Sequence, residues 1–325
     1  MQKEITGSGI EDREADGRIK MKHAIFFFGL PTVAIIAGHF LFWEINDFVR
    51  FSTITTPILF LSLIIFAYGY FGRGKKKHFF LFIAWLIFAS YWAMQPEYLY
   101  YKEEGDVFNA TFCILGVYFL SYISYHEYLS YKRNERVKSL DFLAGSTFYA
   151  SLIYFVVQKI PFLAGFLIKM VAVQSVWLLK IFGYNISVGN PSGMINIQVP
   201  IYFNDHYSVS LVLACTGLQS MAVFIGVLMA LKGIDLKRRI KAFLATIPTI
   251  YVLNLIRNAG VIYGVEKLGY SFSFMHNVVG KTGSLLALII IAYYIFDLLP
   301  ELYDRITGIV DLYKRYGPIE RMFLR

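Results

Sequence analysis

The sequence predicts an all-α polytopic membrane protein, and three observations predict it. Hydrophobic residues make up 57% of the 325 and charged residues 16%, with a positive mean hydropathy, which is too apolar for a soluble domain of this length. Apolar runs near the ~20 residues that a bilayer crossing requires recur from His23 to Pro300 with no long polar interval. Lysines and arginines gather in short segments between those runs. The net charge of +9 is thereby explained by topology, and nucleic acid is not an expected partner.

Residues 1–22, rich in glycine and charge, read as a flexible cytoplasmic tail without the apolar core and cleavage site of a secretory signal. About eight transmembrane helices follow, near residues 24–43, 54–72, 78–94, 107–126, 140–158, 209–231, 242–264 and 281–300, so that 23–300 form a single membrane domain. Two cysteines are too few for a disulfide framework, and Cys113, inside an apolar run, reads as a small buried residue. No internal repeat is visible.

Charge orients the spans. RGKKK at 73–77, YKRNERVK at 131–138, KGIDLKRRIK at 232–241 and the C-terminal Lys314, Arg315, Arg321 and Arg325 mark the cytoplasmic side. The alternate segments, EINDFVR at 44–50 and PEYLYYKEEGD at 96–106, carry one basic residue each and belong outside. Both termini are then cytoplasmic and the number of crossings is even. Residues 162–183 are long enough to cross, yet a crossing there would put KGIDLKRRIK outside, so this segment is expected to be an outer interfacial or re-entrant helix. Lys169 and Lys180, eleven residues apart and so on one helical stripe, fit that expectation; a true span with snorkelling lysines is the alternative.

Beyond it, Ile195, Ile197, Val199 and Ile201 alternate with polar or turn-prone residues, the period of a half-buried strand. Asn204-Asp205 offers a turn into a second strand through Tyr207 and Val209, which predicts a small β-hairpin on the outer face. Residues 301–325 place Leu302, Ile306, Ile309, Val310 and Tyr313 at helical spacing, an amphipathic cytoplasmic tail.

Three residues converge on the outer face. Cys215, in SLVLACTGLQSMA, falls near the outer end of the sixth span, where an accessible thiol is expected. If the helix begins near Thr216 or Gly217, its macrodipole favours the thiolate. Arg257, in YVLNLIRNAGVIYG, is an intramembrane guanidinium, costly unless it has work to do, and Asn254 shares its face and could orient it. His276 lies in the outer loop before the last span. Thiolate, base and cation are the parts that acyl transfer through a thioester needs. His206, preceded by Asp205 in the hairpin, is the competing base; His39, His78 and His126 are remote by topology and read as structural. Neither a metal-ligand motif nor a Gly-rich phosphate loop appears, so no cofactor is expected.

ACTGLQSMA, then NLIRNAGVI, then a loop histidine before a final span together resemble the membrane cysteine transpeptidases called exosortases and archaeosortases. The resemblance is strongest from about residue 211 onward, with YYIFDLLPEL and RYGPIE, while the N-terminal spans match in hydropathy alone. It implies an archaeal cell-membrane enzyme acting on secreted proteins with a C-terminal sorting signal: a Pro-Gly-Phe type motif, a transmembrane helix and a basic end. The enzyme would cleave near the motif and pass the new carboxyl end to an amine-bearing membrane lipid. It also implies Cys215 as nucleophile and Arg257 as its cation, with His276 as the base, and places the catalytic half at about 205–300. The family's third position varies between His and Arg. From the residues alone, a small-solute or anion transporter and a noncatalytic envelope assembly protein stay open.

Overall fold

The computed structural model describes residues 22–23, 25–43, 48–102, 107–193 and 196–323; most of the expected tail at 1–22, parts of two expected outer loops and Ile195 lie outside them. Contacts divide the chain into two compact units, Met1–Ala144 with Ile306–Arg325, and Gly145–Arg305.

In the first unit a π-helical turn, Ile25–Gly29, leads into α1 (Leu30–Phe42), followed by α2 (Phe48–Phe71), α3 (Lys76–Ala93), α4 (Gln95–Lys102) and α5 (Val107–Arg133). Pro31 sits in the first turn of α1, where its missing N–H costs nothing. The packing interior carries polar groups in pairs. Glu127, fully buried, meets His78 at 2.7 Å, and Lys77 pairs with Asp141. The C-terminal segment returns to α5: Glu320 accepts from Tyr122 (2.9 Å) and Tyr125 (3.0 Å), and Arg315 donates to the His126 carbonyl (3.0 Å).

The second unit holds most of α6 (Lys138–Lys159), then α7 (Pro161–Lys180), β1 (Ile186–Val188), β2 (Val199–Phe203) and β3 (His206–Leu211). A 3₁₀ turn, Leu213–Thr216, enters α8 (Leu218–Ala230), and α9 (Leu236–Glu266) follows. A π-helical stretch, Phe274–Gly280, runs directly into α10 (Lys281–Leu298), and α11 (Pro300–Val310) begins here. The three strands form one antiparallel sheet in the order β1-β2-β3, with Ile201 opposite Val209. Asn204 and Asp205 take φ of 48° and 66°, the left-handed pair that a two-residue hairpin turn needs. The hairpin is thus where expected, and β1 adds a strand that the sequence reading lacks. Val199, Ile201 and Phe203 face a core shared with Ala164, Ile168 and Val176 of α7. The opposite stripe of α7, Phe162, Phe166, Val173 and Trp177, is exposed, while Lys169 donates to the Gly189 carbonyl. Helices α6 and α8 touch backbone to backbone, since a Cβ on Gly226 would lie 2.5 Å from the Ser146 carbonyl oxygen.

Among the described residues seven helices are long and apolar enough to cross a membrane, making this a multi-pass membrane protein. They include α7 by length and composition. Helix α5, with 27 residues, carries the fourth expected span but is less apolar. The sixth expected span is corrected: residues 209–231 are not one helix but a strand end, a 3₁₀ turn and the 13-residue α8. Gly217, at φ 73°, breaks the helix, and α8 alone is about 20 Å long against a hydrocarbon core of about 30 Å.

Candidate active site

The segment LACTG makes a sharp corner between sheet and helix. The Cys215 N–H donates to the Val212 carbonyl at 2.8 Å, closing the 3₁₀ turn. The Thr216 hydroxyl donates to the Leu213 carbonyl (2.7 Å) and accepts from the Leu218 N–H (3.3 Å), steering the chain into α8. Gly217 is required twice over: its φ is left-handed, and a Cβ there would sit 3.1 Å from the Asn254 Cγ. Cys215 therefore precedes α8 by three residues instead of opening it.

Helix α9 grips this corner. Asn254 and Asn258, four residues apart and so on one face, each donate an amide N–H to the Cys215 carbonyl at 2.8 Å. Asn254, which shares a face with Arg257, thus holds the cysteine turn through its amide. Asn258 was missed, and the available signal was a second amide one turn along an apolar span. Arg257, between the two asparagines, packs on the π-helical stretch: a Cβ on Gly280 would lie 2.9 Å from its Nε. That Nε is buried and has no hydrogen-bond partner among the described residues.

His276 lies on the same π-helical stretch, its ring stacked on Phe272 at 5.1 Å, with Arg257 and Lys281 as the charges acting on it. Between α9 and α10 opens a cavity of about 290 Å³ bordered by Gly217, Asn254, Arg257, Gly280 and Ser284. Cys215 does not border it. The residue is 5% exposed, in an apolar cluster with Ala164, Leu211, Leu255 and Ala259, so the expected accessible thiol is corrected to a covered one. The cover comes from α7, the sheet and α9, which a reading of the sixth span alone does not contain.

The competing base lies elsewhere. His206 is exposed and pairs through Nε2 with Glu266 at 3.1 Å, so its acid is on α9 and not Asp205. It starts β3, and the five steps to Leu211 put about 17 Å of strand between it and the approach to Cys215. The structure thus brings Asn254 and Asn258 onto the Cys215–Thr216–Gly217 corner with Arg257 between them on α9, puts His276 on the π-helical stretch that Arg257 packs against, and leaves Asp205 and His206 at the hairpin tip. His39, His78 and His126, read as structural, each face a glutamate: Glu97 at 2.6 Å, Glu127 at 2.7 Å and Glu320 at 3.2 Å.

Residues 136–293 fit the model of the transmembrane exosortase family. A Haloferax volcanii protein described as archaeosortase A is 26% identical over 172 residues, covering 46% of this chain and 56% of that protein. The match therefore spans little more than half the relative's length. No solved structure matches.

Proposed function

On the premise that the chain belongs with the exosortases and archaeosortases, an assignment supported by the family match over residues 136–293, we propose that it is a membrane cysteine transpeptidase acting at the outer face of the membrane. Its substrates are secreted proteins carrying a C-terminal signal of the Pro-Gly-Phe type, and its acyl acceptor is an amine-bearing membrane lipid. One observation carries the reading: the cysteine turn is tied by two amides to the same helical turn that holds an unpaired guanidinium nitrogen at the edge of a cavity.

The Cys215 sulfur, as thiolate, attacks the scissile carbonyl carbon, and Arg257 stabilises the oxyanion that forms. His276 gives a proton to the leaving amine as the C–N bond breaks, which releases the membrane tail and leaves a thioester. The lipid amine then attacks the thioester carbon, its proton passes to His276, and the C–S bond breaks to regenerate the thiolate. Since Cys215 is covered in the resting structure, substrate engagement has to open the apolar cluster around it. A thioester formed there is shielded from bulk water and close to lipid head groups, so transfer outruns hydrolysis.

Mass spectrometry of the C-terminal peptide of a processed substrate tests the reading. A covalent lipid on the new C-terminus is the expected product. A free carboxylate in most molecules would make the protein a protease, and normal maturation by a Cys215→Ala variant would remove the thioester altogether.

A further inference from the structure

We infer that Asn258, together with Asn254, is a positioning residue that sets the Cys215 thiol relative to Arg257; the inference rests on the transpeptidase reading for its kinetic part and on geometry alone for the rest. Cys215 is joined to Thr216 by a planar peptide, so fixing the direction of its carbonyl fixes the rotation of the whole peptide plane. Two donors at 2.8 Å converge on that one oxygen, which uses both of its lone pairs. Satisfying a buried carbonyl takes one donor; two from adjacent turns of one helix remove the remaining freedom of the turn to rock.

The local chain offers the carbonyl little alternative. The Leu218 N–H, three residues on, is taken by the Thr216 hydroxyl, and Gly217 turns the backbone left-handed in between. The turn is therefore referred to α9 and not to its own helix α8. Because Arg257 lies between Asn254 and Asn258 on that helix, nucleophile and cation share one rigid frame of five residues. The two amides differ in one respect. Asn254 borders the cavity and touches the position of Gly217, whereas Asn258 is 4% exposed and does not border the cavity, so Asn258 acts through Cys215 and not on substrate.

The test uses the full chain in lipid bilayers with Cys113 replaced by Ala, so that Cys215 is the one thiol. Three quantities are read for Asn258→Ala: the unfolding midpoint, the rate of Cys215 labelling by N-ethylmaleimide across pH, and kcat and KM on a tailed substrate. Misplacing a reacting atom by about 1 Å costs up to about 100-fold, so kcat is expected to fall ~100-fold with KM within about threefold. Labelling should rise about tenfold, as a turn held by one tether exposes a thiol that is now covered. Thr246→Val is the control: Thr246 is fully buried on the same helix, bonded to the Ala242 carbonyl at 2.8 Å, and should leave labelling and kcat unchanged. Wild-type labelling and kcat in folded Asn258→Ala would overturn the inference, and so would equal changes in Thr246→Val at an equal loss of stability. Should Asn258→Ala fail to fold, Asn258→Gln, which keeps a donor on a longer arm, is read in the same way and should lose kcat without unfolding. If Cys215→Ala still matures substrate, the transpeptidase reading fails, while the labelling rate continues to decide whether Asn258 positions the thiol.

Discussion

The charged cluster inside the first unit and the arginine at the second unit's cavity are treated in opposite ways. In the first, Glu127 is held by His78 (2.7 Å), Asp141 by Lys77 and by Arg136 (3.1 Å), and Glu320 by two tyrosines and by His126 (3.2 Å). In the second, Arg257 has no carboxylate partner among the described residues, and its Nε is buried with no acceptor. Taking a charge out of water is costly, and pairing recovers part of that cost. A paired buried charge therefore stands as architecture. A cation left unpaired at a cavity edge keeps its interaction energy for an anion that arrives later, which is the behaviour asked of an oxyanion stabiliser. The histidines differ in the same way, though not by unit: His78 in the first unit and His206 in the second each have a glutamate, whereas His276 is stacked on Phe272 and has no carboxylate partner among the described residues.

Substitutions should separate the two classes, and the largest effect is expected at the thiol. Cys215→Ala should reduce substrate maturation by a factor on the order of 10³ or more, as loss of a covalent nucleophile does, with normal membrane insertion. Cys113→Ala should mature substrate at the normal rate in the same pulse-chase assay. Arg257→Lys keeps the charge but loses the planar fork, so maturation should fall about 100-fold; a rate near wild type would mean that a point charge suffices there. His276→Ala should slow the reaction roughly tenfold to 100-fold as a lost acid–base group, and His206→Ala less than about threefold. The reverse ranking would move the base to the hairpin. Glu127→Ala lies at the other pole. It should cost about 3–5 kcal/mol of stability by stranding His78, read as a lower unfolding midpoint, and leave kcat per folded molecule unchanged. A kcat loss there without destabilisation would erase the distinction between the two classes.

Where local chemistry decides, the fold was legible in the sequence. The hairpin turn follows from Asn204-Asp205 between alternating strands, and the long apolar helices from run length alone. At residues 209–231 hydropathy misled, because a buried strand, a 3₁₀ turn and a short helix present the same apolar run as one span, and only Gly217 hints at the break. The three-residue β1 is too short to carry a period. In the candidate site, Cys215 and Arg257 stood out by residue type and depth. The asparagine grip did not, since Asn258 lies 43 residues from the carbonyl it holds. Separation in sequence likewise hid the pairing of His206 with Glu266, 60 residues apart, and the cover that α7 lays over Cys215.

The return of residues 315–320 to α5 has a consequence for the order of events during synthesis. The first unit is discontinuous, interrupted by the whole of Gly145–Arg305. Tyr122, Tyr125 and His126 leave the ribosome long before Glu320 and Arg315, the groups they bind. Until residue 320 has been made, those side chains have to be accommodated without their partners, while the intervening unit, contiguous in the chain, is free to fold first. The N-terminal bundle is begun early and closed late, so a chain stalled within Gly145–Arg305 carries an unfinished bundle whose Tyr122, Tyr125 and His126 still lack their carboxylate.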